Sequence, residues 1–110
     1  MVKFKIVEYV IRLMREEDFL EIIEIDREAF PTQPTLSYKM LSRELHSSLS
    51  HYLVASQNDK GILQPHKILG FVSFWLISGE AHITSIAVRQ TCQRQGIGEM
   101  LLISMIERAA

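Results

Sequence analysis

The stretch that decides the fold runs Ala81-His82-Ile83-Thr84-Ser85-Ile86-Ala87-Val88-Arg89-Gln90-Thr91-Cys92-Gln93-Arg94-Gln95-Gly96-Ile97-Gly98. Ala81 to Val88 reads as a strand, with Ile83, Ser85 and Ala87 expected on one face and Thr84, Ile86 and Val88 on the other. Arg89 to Gln95 is a polar loop, and from Gly96 or Gly98 onward Ile97, Leu101, Leu102, Met105 and Ile106 recur at helical spacing. Strand, loop and helix N-terminus in that order suggest a phosphate cradle. The first amides of a helix have no internal partners and sit at the positive end of its dipole, so a pyrophosphate there satisfies both donors and charge. Without a Cβ, Gly96 and Gly98 let the anion approach, and Arg89 and Arg94 are expected to add positive charge. The bland alternative is a tight helix entry that needs its glycines for the turn alone. A dinucleotide fingerprint would require a third glycine where Leu101 stands, and a P-loop would end in Gly-Lys-Ser/Thr, so neither common phosphate motif fits.

Upstream of this stretch, Ile68 to Ile77 reads as a strand in which Gly70 marks a bulge or a close backbone approach, and Ser78-Gly79-Glu80 closes it toward the next strand. His51 to Ser56 is a short apolar run of a buried strand, and Asn58-Asp59-Lys60-Gly61 is a turn signal that makes these two strands a hairpin. Before them, Ser37 caps a helix with Tyr38, Leu41 and Leu45 in a stripe, ending near Ser47 or Ser48. Phe19, Ile22, Ile23 and Phe30 have helical spacing over a segment from Glu16 or Glu17 to Ala29, with acids in its first turn. Pro31 and Pro34 then stop that helix. Val2 to Met14, rich in β-branched and aromatic residues, reads as the first strand. The final helix reaches Ala109-Ala110 without a capping glycine and reads as cut rather than finished.

The whole chain has 110 residues, 47% hydrophobic and 23% charged, which suits one domain with a modest core. A net charge of −1 gives no overall field that would draw it to nucleic acid or an anionic membrane. The apolar run Met100 to Ile106 is too short to span a bilayer, so a cytoplasmic protein is expected. Cys92 is the one cysteine, which excludes an internal disulfide and a cysteine-based zinc site.

Gln93-x-x-Gly96-x-Gly98, preceded by Ile86-Ala87-Val88, resembles the signature of the GNAT superfamily of acyl-CoA N-acyltransferases, and the element order strand, helix, helix, strand, strand, strand, helix matches the first two-thirds of that fold. The resemblance implies an α/β (α+β) fold, a mixed, mostly antiparallel sheet flanked by helices, in which residues 1–110 form a single domain that lacks the C-terminal strands. It also implies acetyl-CoA as acetyl donor: Ile86, Ala87 and Val88 would face the pantetheine arm, and Gln93, Arg94, Gln95, Gly96, Ile97 and Gly98 the pyrophosphate. Within the superfamily the stretch from Glu80 to Gly98 is similar to the RimI-like branch, which acetylates the N-terminal alanine of a ribosomal protein. Gln90 and Cys92 depart from that loop pattern, where proline and tyrosine are common.

Direct acetyl transfer needs a neutral amine, and an N-terminal amine, with a pKa of about 7.7 to 8.0, loses its proton more readily than lysine. In RimI-like proteins the carboxylate base and tyrosine acid come from segments that would lie beyond Ala110, so the catalytic pair stays unknown and Glu80 is the one substitute base. The same resemblance puts the joint between the first two helices beside the acceptor, with Glu28, Phe30 and Tyr38 as substrate-binding candidates. A non-catalytic acyl-CoA-binding module, an inactive fragment, and a family member acting on a small amine are the alternatives. The sequence says nothing of oligomeric state. His46, His51, His66 and His82 lack metal-ligand spacing, so no metal is expected; Cys92 has no activating partner, and Phe71, Phe74 and Trp75 read as core.

Overall fold

The computed structural model describes residues 8–57 and 66–109. Its elements run β1 (Val10–Leu13), a 3-10 turn (Glu16–Asp18), α1 (Phe19–Ala29), α2 (Tyr38–Leu45), β2 (Ser50–Ser56), β3 (Ile68–Ile77), β4 (Glu80–Val88), a 3-10 turn (Gln90–Cys92) and α3 (Ile97–Ala109). The strands form one sheet in the order β1-β2-β3-β4, and every described pairing is antiparallel. This is the expected α/β layout. The N-terminal part of the first expected strand, and the turn signal Asn58 to Gly61, lie outside the described residues.

Helices cover both faces of the sheet. On one face Phe19, Ile22 and Ile25 of α1 and Leu41 of α2 pack with Tyr52, Val54, Phe71 and Ala87. On the other, Ile97, Leu101 and Met105 of α3 pack with Leu53, Ala55, Val72 and Phe74. Burial on both faces explains why β2 and β3 read as continuous apolar runs rather than as alternating ones. Trp75 departs from the core expectation: it is exposed, near the β3–β4 turn. That turn, Ser78-Gly79, has positive φ at both residues (49° and 79°), the geometry of a two-residue hairpin connection.

Two irregularities in register shape the site. Ala55 pairs Gly70 but Ser56 pairs Ile68, so Leu69 is an extra residue beside Gly70. The backbones also approach closely there: a Cβ on Gly70 would stand 2.9 Å from the Ala87 carbonyl oxygen and 3.2 Å from Val88 Cα. Ser73 pairs Ser85 but Phe74 pairs Ile83, which makes Thr84 a bulge. The extra residue resets the alternation, so the expectation that Ile83 shares a face with Ser85 and Ala87 fails. Ile83 stands opposite Phe74, a residue of the α3-side core, and the Thr84 hydroxyl meets Ser73 Oγ at 2.7 Å.

The helix boundaries follow local chemistry. Asp18 Oδ2 accepts from Arg15 N at 2.8 Å, while Arg12 Nη1 and Nη2 donate to its two oxygens at 2.7 and 2.9 Å, tying β1 to the start of α1. The acids expected in a first α-helical turn therefore form a 3-10 turn before it. Ser37 caps α2 as expected, its Oγ accepting from Met40 N at 3.2 Å, but the helix ends at Leu45, earlier than Ser47. Between α1 and α2, Asp26 Oδ2 accepts from Leu36 N at 3.2 Å and folds the proline-containing connection back on α1.

Candidate functional site

A cleft of about 440 Å³ opens where β4 ends and α3 begins, lined by Ala29, Ile86, Ala87, Val88, Cys92, Gln93, Arg94, Gly96, Ile97 and Gly98. Of the residues expected to hold a cofactor, the fold brings together all but Gln95 in this lining; Gln95 lies in the loop between Arg94 and Gly96. The floor is the C-terminal end of a strand. One wall is the first turn of α3, whose earliest i to i−4 bond runs from Met100 N to Gly96 O at 3.0 Å. The amides of Ile97, Gly98 and Glu99 therefore precede any such bond and lie at the positive end of the helix.

The loop above adds a second anion-binding geometry. Arg94 (φ 66°) and Gly96 (φ 77°) are both left-handed, with Gln95 between them in the ordinary half of φ space. Alternation in the sign of φ over successive residues is the backbone pattern of an anion-binding nest, in which N–H groups turn toward a common concavity, and Arg94, Gln95 and Gly96 alternate in that way. Gly96 is needed for that conformation, whereas a Cβ on it would meet no atom within 4 Å. A Cβ on Gly98 would stand 3.7 Å from Val88 Cγ2, an ordinary contact, so Gly98 leaves room over the helix terminus and is not imposed by strain. Gln93 Nε2 donates back to Val88 O at 3.3 Å and joins the loop to the strand end. A nest and a helix terminus side by side, at the end of a strand whose edge is free of a described partner, fit a long ligand with a pyrophosphate at one end and an extended arm at the other.

The structure divides the two arginines that the sequence offered as anion ligands. Arg94 is exposed, lines the cleft and has no ion pair among the described residues. Arg89 is buried instead: Nε donates to Ile68 O at 2.7 Å, Nη2 to Glu21 Oε1 at 3.0 Å, and Nη1 to Glu24 Oε1. Its charge is already matched by carboxylates, which corrects the expectation that it serves an anion in the loop. Nothing local signals this, because the partners lie 68 and 65 residues away in sequence.

The remaining candidates are spread out. Glu80 opens β4 at the hairpin tip, exposed, with His82 Nε2 at 3.1 Å from Oε2, and the strand rise puts it roughly 26 Å from Val88. Glu28 is exposed near the end of α1, and its Oε1 accepts from Gln90 N at 2.7 Å. Phe30 follows α1, partly buried against the core, with its N–H donating to Asp26 O at 2.9 Å. Tyr38 starts α2, its ring edge-on to Phe19 at 5.0 Å and its hydroxyl donating to Glu16 Oε1 at 2.7 Å. On the same side of the sheet, Tyr52 donates to Glu44, and burial together with that carboxylate holds its pKa well above the ordinary tyrosine range. Tyr52 was not among the residues picked out by sequence, since a tyrosine in an apolar run carries no signal of a carboxylate partner on a neighbouring helix. Among the described residues no group of three or more His, Cys, Asp or Glu side chains is placed to hold a metal, and no helix is long and apolar enough to cross a membrane.

Comparison with known proteins bears on this geometry. The family model described as acetyltransferase (GNAT) family matches residues 8–110. A Bacillus subtilis (strain 168) protein whose name, ribosomal protein bS18-alanine N-acetyltransferase, is itself provisional is 29% identical over 97 residues, 88% of this chain and 59% of that protein. The crystal structure of the ribosomal-protein-S18-alanine N-acetyltransferase from Escherichia coli superposes with a TM-score of 0.72 at 22% identity, over 93% of this chain and 59% of that one. The PaiA N-acetyltransferase from Thermoplasma acidophilum, solved in complex with coenzyme A, gives a TM-score of 0.75 at 16% identity, over 94% of this chain and 72% of that one. The chain thus spans 59% of the length of the Bacillus and Escherichia proteins.

Proposed function

The chain belongs to the acetyltransferase (GNAT) family, and from that membership we propose that it binds acetyl-CoA in the β4–α3 cleft and serves acetyl transfer to an amine, in the first instance the N-terminal α-amino group of a protein. The single observation that carries the reading is the paired anion site, the Arg94–Gly96 nest beside the α3 terminus, opening onto the end of β4. Gln93, Arg94, Gln95, Gly96, Ile97 and Gly98 would hold the pyrophosphate through their amides, with Arg94 supplying charge. Ile86, Ala87 and Val88 would align the pantetheine arm along the strand edge. When bound, acetyl-CoA supplies the acyl group as an activated thioester.

The choice of acceptor rests on the names of the Bacillus and Escherichia relatives, both alanine N-acetyltransferases of a ribosomal protein. An α-amine suits the chemistry, since at neutral pH a useful fraction of it is unprotonated. With such an acceptor the protein works in the cytoplasm. Phe30 and Tyr38, at the joint between α1 and α2, are the acceptor-side residues of this reading, while the groups that take a proton from the amine and give one to the thiolate are not assigned among the described residues.

The test follows thiol release from acetyl-CoA with a peptide beginning in alanine, the same peptide with its amine blocked, and a small polyamine. Turnover with the free alanine peptide alone supports the reading. Turnover with the polyamine alone moves the acceptor to a small molecule, and saturable binding without turnover reduces the chain to an acyl-CoA-binding unit.

A further inference from the structure

The nest at Arg94 to Gly96 is exposed, yet the backbone beneath it is fixed at three places in four residues. Arg89 N donates to Leu69 O at 2.8 Å, and the Arg89 guanidinium is held by Glu21 and Glu24. Gln90 N donates to Glu28 Oε1 at 2.7 Å. The Cys92 side chain is fully buried in the α3-side core, and Cys92 N donates to Arg89 O at 2.8 Å. The loop therefore rises from a clamped 3-10 turn.

The clamp comes from one side of α1. Glu21, Glu24 and Glu28 are spaced three and four residues apart, neighbours on a helix face. Like charges at that spacing disfavour an isolated helix. Here each carboxylate has a donor at the start of β3 or just after the end of β4: Ile68 N at 3.0 Å and Arg89 for Glu21, Arg89 for Glu24, and the Gln90 amide for Glu28. Ala29, next to Glu28, lines the cleft itself, so the end of α1 and the root of the loop meet at the site.

We infer that Glu28 is a positioning residue for the anion nest, acting through the Gln90 amide, with the Glu21–Arg89–Glu24 cluster holding the same turn from behind. A nest binds an anion through donors that must already point inward, so loosening its root spreads those donors and weakens the grip on pyrophosphate. This inference rests on the acetyl-CoA reading for its ligand, but its structural part does not. Glu28 is exposed, so its removal opens no cavity in the core.

The experiment uses the 15N-labelled chain as wild type, Glu28→Ala and Glu28→Gln, with thermal unfolding as a check on the fold. Without ligand, backbone order parameters of Gln93 to Gly96 are expected near those of a rigid backbone, about 0.85, in wild type and Glu28→Gln, and below about 0.6 in Glu28→Ala. With CoA, the Kd of Glu28→Ala is expected to rise about five- to tenfold, as for loss of one charge-assisted hydrogen bond, and that of Glu28→Gln to stay within about twofold, because its amide oxygen still accepts from Gln90. Unchanged order parameters in Glu28→Ala, unchanged CoA affinity, or equal weakening in both variants would overturn the positioning role. A loop loosened in Glu28→Ala while wild type fails to bind CoA would support the clamp and sink the proposed cofactor instead.

Discussion

Replacing Gly70 by alanine should both destabilise the fold and disturb the cleft, because of where the new methyl group points. Its Cβ would lie 2.9 Å from Ala87 O, 3.1 Å from Val88 Cγ2 and 3.2 Å from Val88 Cα. The nearest atom is backbone, so a side-chain rotation cannot relieve it. Restoring an ordinary contact of 3.4 Å requires the end of β4 to move by about 0.5 Å. Overpacking of this kind costs about 1–3 kcal/mol, and the reduced freedom of the unfolded chain returns about 0.4–1 kcal/mol, leaving a net loss of about 1.3 kcal/mol at the middle of both ranges. For a domain of this size each kcal/mol lowers Tm by about 4–8 °C. Urea and thermal unfolding of Gly70→Ala measure the loss, and acetyl-CoA titration reads the displaced strand end. A variant as stable as wild type would refute the close approach of β3 and β4.

Three further expectations follow from single contacts. Gly96→Ala forces a side chain to φ 77° and should cost about 1–2 kcal/mol, while Gly98→Ala, with its Cβ at 3.7 Å from Val88 Cγ2 and a gain in helix propensity, should be neutral or stabilising; urea midpoints of the two separate conformation from space. Arg89→Met removes the buried guanidinium from Glu21 and Glu24, and because Glu24 is half-exposed and can rehydrate, a loss of about 2–3 kcal/mol is expected in chemical unfolding, below the roughly 3–5 kcal/mol for breaking a fully buried pair. Tyr52 has its pKa raised in the fold, first by burial and then by Glu44, so the folded state holds that proton more tightly than the unfolded chain. Its contribution to stability is complete below the ordinary tyrosine value of 10.0 and is lost as pH rises from there toward the folded pKa. Phenolate absorbance should show one tyrosine that ionises only with unfolding, and Tyr52→Phe should abolish that step.

The parts of the molecule legible in the sequence are those set by neighbours along the chain. The Ser37 cap, the stop at Pro31 and the strand Ile68 to Ile77 all stand as read, because capping, proline and apolar runs act over a few residues. The Gln93 to Gly98 loop was legible for the same reason: a strand, a turn and a glycine-opened helix are local events. What the sequence did not disclose depends on distant partners. A single extra residue at Thr84 moves Ile83 across the sheet, and no residue type announces it. Arg89 looks like an anion ligand beside a glycine-rich loop until α1 brings Glu21 and Glu24 against it. The bond from the Gln90 amide to Glu28 joins residues 62 apart in sequence, and no local pattern connects them.

Calorimetric titration of the folded chain with acetyl-CoA tests the cleft as a cofactor site most directly, with Gly96→Val alongside, since a β-branched residue is strained at φ 77°. Saturable one-to-one binding by the wild type, weakened at least about tenfold in a Gly96→Val variant that keeps the wild-type circular dichroism spectrum, is the expected result. A folded wild type that takes up no acetyl-CoA, or one that binds no better than Gly96→Val, would contradict it.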